Sequence, residues 1–220
     1  SYTGAHLMNK ETGFPTIGLP GTIDNDIFGS EYSIGFDTAV NTALGAIDKI
    51  RDTASAHDRA FLVEVMGRTS TEIAVRVGVS GGAESIVIPD TNNSKVIDSL
   101  VKTLKHSANE GKLSSIIVVA EGHTAGTTYE IAEKLKKHAR IDAKVAILGH
   151  IQRGGSPSAM DRFMASIMGA EAVQSALDGE FDVAIGVVGG KLARIPFASI
   201  LGRHKAPDLK MLKLAEILAS

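Results

Sequence analysis

Short, nearly unbroken runs of apolar residues, each separated from the next by a stretch of helical period, leave few folds open to this chain. Phe61–Met66, Ser115–Ala120, Ala143–Leu148 and Val183–Val188 lack the alternation of a half-exposed strand. Between them, Val40, Ala43, Leu44, Ile47 and Ile50 recur at three- and four-residue spacing, as do Val96, Ile97, Leu100, Val101 and Leu104, which marks one apolar face on each of two helices. Strands buried on both faces and separated by helices predict an α/β chain with mainly parallel sheets. The remaining elements fit that frame. A brief strand is expected over Phe14–Leu19, with Pro15 inside it, and another over Ser85–Pro89. Helices are expected over Thr71–Val79, closed by Gly81-Gly82, over Thr127–His138, and from Ser156-Pro157, as N-cap and first-turn proline, to Leu177. An irregular stretch through Pro196 leads to a terminal helix, Leu209–Leu218.

With 220 residues, 44% of them hydrophobic and 22% charged, the chain can bury a core as one large or two small domains. A formal net charge of -2 and a pI near 6.4 offer no global attraction to nucleic acid or an anionic membrane, so neither is an expected partner. Zero cysteines exclude a disulfide framework, a thiolate metal site and a cysteine nucleophile. No transmembrane run or signal peptide is evident, and a soluble, cytoplasmic protein is expected. The chain opens on Ser, in what reads as mid-element, as a piece of something longer would.

In parallel α/β sheets ligands bind beyond the carboxyl ends of the strands, and that rule sorts the polar residues. Asp24 and Asp26 follow the first strand, in Gly18-Leu-Pro-Gly-Thr-Ile-Asp-Asn-Asp26. Two carboxylates at this spacing can point different ways, one accepting a proton while the other holds a cation near a phosphate. Asp and Asn are equally the usual turn formers, so the loop alone leaves both readings open. His150 and Arg153 bracket another strand end, Gly154-Gly155 lets a ligand approach the backbone, and Ser156-Pro157 opens a helix whose free N–H groups favour an anion. That segment reads as a phosphate grip or simply as a loop and helix cap. Gly189-Gly190-Lys191 is followed by Leu192 and lacks the spacing of a Walker A loop.

Pro20-Gly-Thr-Ile-Asp-Asn-Asp26, Val65-Met-Gly-Arg68 and Gly149-His-Ile-Gln-Arg-Gly-Gly-Ser-Pro157, in that order and spacing, closely resemble the bacterial-type 6-phosphofructokinases. The resemblance spans the whole chain and about the last two thirds of such an enzyme; Ser1-Tyr2 matches residues just after the family's Gly-Gly-Asp-Gly nucleotide loop. It implies three-layer αβα sandwich domains, with residues 1–35 and 151–202 as the remnant of a truncated nucleotide-binding domain and residues 36–150 and 203–220 as a sugar-phosphate-binding domain. The implied reaction is ATP plus fructose 6-phosphate to ADP plus fructose 1,6-bisphosphate, with Mg²⁺ as cofactor, in a glycolytic homotetramer under allosteric control.

By the same resemblance Asp24 is the general base, Thr22 contacts the transferring phosphoryl group, Asp26 helps hold Mg²⁺, and Arg68 stabilises charge on the γ-phosphate. Met66, Gly67 and Glu121 match positions that grip the sugar, and His150 and Arg153 match ligands of the 6-phosphate. Arg59 matches an arginine reaching into a neighbouring subunit's sugar site. Gly21 matches the position where ATP users have Gly and pyrophosphate users commonly Lys. Lys144 stands where the family has a second cross-subunit arginine, keeping the charge but losing the bidentate fork. Arg51, Gly82, Glu84 and Lys112 match an effector site for ADP or phosphoenolpyruvate, but Glu110 stands where a lysine is expected, and a carboxylate there opposes a diphosphate. Two other readings stand beside the kinase: a pyrophosphate-dependent enzyme, and a non-catalytic sugar-phosphate-binding module.

Overall fold

The computed structural model describes residues 1–54, 60–88, 93–111, 114–122 and 126–219. These group into two compact units, residues 1–38 with 156–206 and residues 39–155 with 207–220.

The first unit holds α1 (Tyr2–Thr12), β1 (Ile17–Gly18), the first turn of α2 (Phe36–Ala54), α6 (Ala159–Leu177), β6 (Val183–Val188), β7 (Lys191–Pro196) and α7 (Phe197–Ile200). Its sheet runs β1-β6-β7, with β1 parallel to β6 (Ile17 opposite Val183) and β7 antiparallel. Successive residues of a strand face opposite sides, and β6 uses both. Ile185 and Val187 pack with Met164 and Met168 of α6, while Ala184 packs with Phe197 and Ile200 and the flanking Tyr2. This two-sided burial is why β6 reads as a solid apolar run.

Several elements of this unit differ from the sequence expectation: α1 and α7 form where no helix is expected, and three others change. The first strand shrinks to Ile17–Gly18, because Phe14 is exposed and Pro15 lacks the N–H a ladder needs. The stretch expected to be irregular holds β7, reached through Gly189-Gly190, both at positive φ (58° and 73°). Two successive left-handed residues make the tight turn whose twist matches a hairpin, and Glu31 fixes it by accepting from the Gly189 and Gly190 amides at 2.7 and 3.0 Å. Helix α6 starts two residues late, with Ser158 as N-cap accepting from the Asp161 amide at 3.2 Å.

The second unit holds the rest of α2, β2 (Ala60–Val65), α3 (Glu72–Ser80), β3 (Ser85–Val87), α4 (Asn93–Asn109), β4 (Ser115–Ala120), α5 (Thr127–Ala139), β5 (Lys144–Ile147), a 3₁₀ helix (Gly149–Arg153) and α8 (Leu209–Ala219). All its strands are parallel, in the order β3-β4-β2-β5. The core on one face joins Leu62, Ile117 and Val119 from the sheet to Leu100 and Leu104 of α4 and Ile131 and Leu135 of α5. Parallel pairing aligns the carboxyl ends of β2, β4 and β5 at one edge, from which Met66, Glu121 and the 3₁₀ helix emerge. Among the described residues no helix is long and apolar enough to cross a membrane.

Candidate active site

In the first unit, the turn after β1 is closed on itself. The Asp24 amide donates to Thr22 Oγ1 at 3.2 Å, Ser33 Oγ donates to the Thr22 carbonyl at 2.7 Å and to Asn25 Oδ1 at 3.2 Å, and Asn25 Nδ2 donates to the Glu31 carbonyl at 3.2 Å. Asn25 sits at φ 47°, a left-handed conformation that Asn adopts more readily than most residues. Lys205 Nζ donates to the Asn25 carbonyl at 3.2 Å, placing a cation behind the turn. The outcome separates the two carboxylates: Asp24 is 6% exposed and Asp26 is open to solvent.

Gly21, Thr22 and Asp26 line a cavity of about 360 Å³, together with Tyr2 and the segment Leu201–His204. That segment is held by an antiparallel bridge between Ile27 and His204 and by the Arg203 guanidinium, 3.8 Å over the Phe28 ring. Among the described residues no group of three His, Cys, Asp or Glu side chains converges as a metal cage. Mg²⁺ usually takes only one or two protein carboxylates and completes its shell with water and phosphate oxygens, and an exposed Asp26 on a cavity wall fits that need.

Asp161, near the start of α6, is buried and ties the segment leading into α2 to that helix. Its carboxylate accepts from the Gly35 and Thr38 amides at 2.8 Å each, from Tyr32 Oη at 2.6 Å and from Thr38 Oγ1. Burial raises the affinity of this carboxyl for a proton, but the hydrogen bonds from Thr38, Tyr32 and Gly35 outweigh it and hold the group below the usual carboxylate range. Burial and the same carboxylate push the Tyr32 phenol well up, so it stays a donor.

In the second unit, the turn leaving β2 is built for close approach. Gly67 has φ 154°, and a Cβ there would lie 2.6 Å from the Ser70 carbonyl oxygen, so no other residue fits. Arg68 follows at φ 51°, with its side chain exposed. Glu121 Oε2 accepts from the Gly67 and Arg68 amides at 3.2 and 3.0 Å, and Gln152 Oε1 accepts from the Met66 amide at 2.8 Å. His150 and Arg153 lie three apart on the 3₁₀ helix, whose period of about three residues puts them on one face. Both are exposed there, while Gln152 is 1% exposed.

The other predicted positions are dispersed. Lys144 Nζ pairs with Asp142 at 2.7 Å, and this lysine holds the exposed Asp142 carboxyl below its ordinary value. Arg51 donates to the carbonyls of Gly81 and, at 3.2 Å, Gly82, which brings two of the predicted effector residues together. Glu84 is buried and accepts from the Ile116 amide at 2.6 Å, which engages its carboxylate in the sheet. Glu110 is exposed. Arg59 and Lys112 lie outside the described residues. Sequence reasoning missed Gln152, Lys205, Arg203 and Asp161; only Gln152 carried a signal, its place between His150 and Arg153.

The Phosphofructokinase family model matches residues 1–176. The chain is 47% identical over 219 residues to the ATP-dependent 6-phosphofructokinase of Cytophaga hutchinsonii, covering 99% of this chain and 66% of that protein. It is 45% identical over 221 residues to ATP-dependent 6-phosphofructokinase 1 of Thermus thermophilus, covering 100% and 67%. The chain therefore spans about two thirds of the length of these curated relatives. Its structure is similar to that of Saccharomyces cerevisiae phosphofructokinase, with a TM-score of 0.80 at 31% identity over 98% of this chain and 32% of that one. A pyrophosphate-dependent phosphofructokinase from Marinobacter aquaeolei shares the fold, with a TM-score of 0.75 at 19% identity over 97% and 64%.

Proposed function

The chain belongs to the phosphofructokinase family, and from that premise we propose that it carries the proton-accepting base and the sugar-phosphate contacts of an ATP-dependent 6-phosphofructokinase. The observation that carries this reading is the division of labour in the clasped turn: Asp24 buried and fixed, Asp26 exposed on the cavity wall with Thr22. Asp24 takes the proton of the sugar C1 hydroxyl as that oxygen attacks the γ-phosphorus of ATP, and ADP leaves. Thr22 and Arg68 stabilise the charge that spreads over the transferring phosphoryl oxygens. Mg²⁺, when bound through Asp26, supplies positive charge against the phosphates. His150 and Arg153 hold the 6-phosphate, and Met66, Gly67 and Glu121 form the sugar seat.

Gly21 and the identity to ATP-dependent relatives favour ATP over pyrophosphate. We read the protein as a cytoplasmic, homotetrameric enzyme of glycolysis, with Arg59 and Lys144 serving the sugar site of a neighbouring subunit. Effector control through Arg51, Gly82, Glu84 and Lys112 is weakened by Glu110 and by the engagement of Glu84 with β4.

A coupled assay tests the reading on two samples: the 220-residue chain, and the same chain fused behind the nucleotide-loop segment of the Cytophaga hutchinsonii relative. The fusion is expected to reach the typical range of about 1 to 100 s⁻¹, and the chain alone to show no measurable turnover and only weak fructose 6-phosphate binding. A fusion that folds and assembles but neither binds fructose 6-phosphate nor uses ATP would overturn the proposal. In the same fusion Lys144→Arg is expected to lower the KM for fructose 6-phosphate and Lys144→Ala to raise it, with kcat changed less. Unchanged KM in both would make Lys144 a bystander.

A further inference from the structure

We propose that Gln152 is a positioning residue that locks the Met66–Arg68 turn to the helix bearing His150 and Arg153, so that both sets of ligand contacts are set together. The inference rests on reading His150 and Arg153 as ligands of a sugar phosphate and adds a residue which that reading does not use.

The ladder between β5 and β2 ends where the Leu148 amide donates to the Glu64 carbonyl at 3.1 Å. The next backbone group on that side of β2 is the Met66 amide, and no strand residue remains to accept from it. Gln152 Oε1 does so at 2.8 Å, taking the seat of a missing strand neighbour. On the other side the Glu121 amide donates to the Val65 carbonyl at 3.0 Å, and the Glu121 carboxylate then collects the Gly67 and Arg68 amides. Three consecutive amides are thus captured by two side chains, each from a different strand end. The captured turn needs such holding, since Gly67 and Arg68 both occupy positive φ, which an arginine leaves when free to relax.

Gln152 is also an unusual choice for a site that is only filled. It is 1% exposed, and its Nε2 is buried with no hydrogen-bond partner among the described residues. Buried amides are normally satisfied, so a residue with no duty beyond volume would be better as methionine, which has similar size and no donor to desolvate. Retaining the amide makes sense where Oε1 has a task. Gln152→Met removes a buried unsatisfied donor, Nε2, which offsets part of the cost of leaving the Met66 amide without its acceptor, so the loss of global stability is expected to be modest while the turn loosens.

The test uses the 220-residue chain with Gln152→Met and Gln152→Glu, the latter keeping an Oε acceptor. Amide hydrogen exchange at Gly67 and Arg68 is the deciding measurement, because their acceptor, Glu121, is unchanged in both variants. In Gln152→Met these amides are expected to exchange about tenfold faster than the modest drop in global stability accounts for, and fructose 6-phosphate to bind about tenfold more weakly, the factor that corresponds to losing about one hydrogen bond's worth of positioning. Gln152→Glu should restore both. Unchanged exchange at Gly67 and Arg68 in Gln152→Met, or a folded Gln152→Glu that behaves like it, would overturn the proposal. If neither the parent chain nor the folded, assembled fusion binds fructose 6-phosphate, the ligand reading fails and the exchange rates alone decide the positioning role.

Discussion

Asp24→Asn is expected to leave fructose 6-phosphate binding intact and to slow phosphoryl transfer by about 10² to 10⁴-fold, the usual cost of removing a general base. The contrast between binding and chemistry follows from how the turn is built. It is the Asp24 backbone N–H that bonds Thr22 Oγ1, and the neighbours Ser33, Asn25 and Lys205 hold the turn through bonds that do not involve the Asp24 carboxylate. A carboxamide of the same size therefore leaves those contacts in place but cannot accept the C1 proton. Measured in the fusion enzyme, kcat should fall with KM nearly constant, the signature of an interaction made in the transition state. Turnover close to the parent's would remove Asp24 from the chemistry and leave it as a turn former.

Asp161→Ala is expected to be the most destabilising single change in the first unit, at about 3 kcal/mol or more, because several buried donors lose one shared acceptor. The Gly35 and Thr38 amides, Thr38 Oγ1 and Tyr32 Oη all converge on this carboxylate, and Thr38 Oγ1 also accepts from the Ser158 amide at 3.0 Å. Acid should reveal the same dependence. The folded carboxyl titrates below its unfolded value, so its stabilisation is complete above about pH 4, the ordinary aspartate range, and is lost as pH falls through the folded value. Denaturant titrations at pH 7 and near pH 3 should therefore show the gap between parent and Asp161→Asn narrowing in acid. A gap that stays constant or widens would mean that Asp161 is not the ionised hub of this cluster.

The parts of the fold legible in the sequence are those where a single physical rule dominates. The all-parallel β2, β4 and β5 and the apolar faces of α2 and α4 follow from burial on two faces and from helical period. Gly189-Gly190, which lacks the spacing of a Walker A loop, is a hairpin turn, and β7 behind it escapes the sequence reading because Lys191–Pro196 mixes charged, apolar and proline residues, half-buried in the middle and exposed at both ends, and carries no apolar run to announce it. The candidate site was legible as motif positions, Asp24, Arg68, His150 and Arg153, and not as the supports behind them. Asp161 looks like any acidic residue in a helix's first turn, and only its approach to Gly35 and Thr38, more than a hundred residues earlier, gives it a role. Lys205 supports Asn25 across a comparable distance in sequence. Such pairings have no local signal in either partner.

Each unit is assembled from two separated stretches of chain, and this bears on how the protein is made. β1 cannot find its neighbour until β6 exists, since Ile17 pairs with Val183. Residues 39–155 must therefore be synthesised before the β1–β6 pairing can form, while the second unit in turn waits for α8, Leu209–Ala219, to close over α3 and β3. Pairings so distant in sequence are slow, because loop closure precedes any reward from contact. Until then Tyr2 and Ile17 lack the partners they pack against in the folded unit, Phe197 and Ile200 for the one and Met164, Met168 and Ile185 for the other, a long exposure for apolar groups and a reason for such a chain to engage chaperones before it engages its substrate.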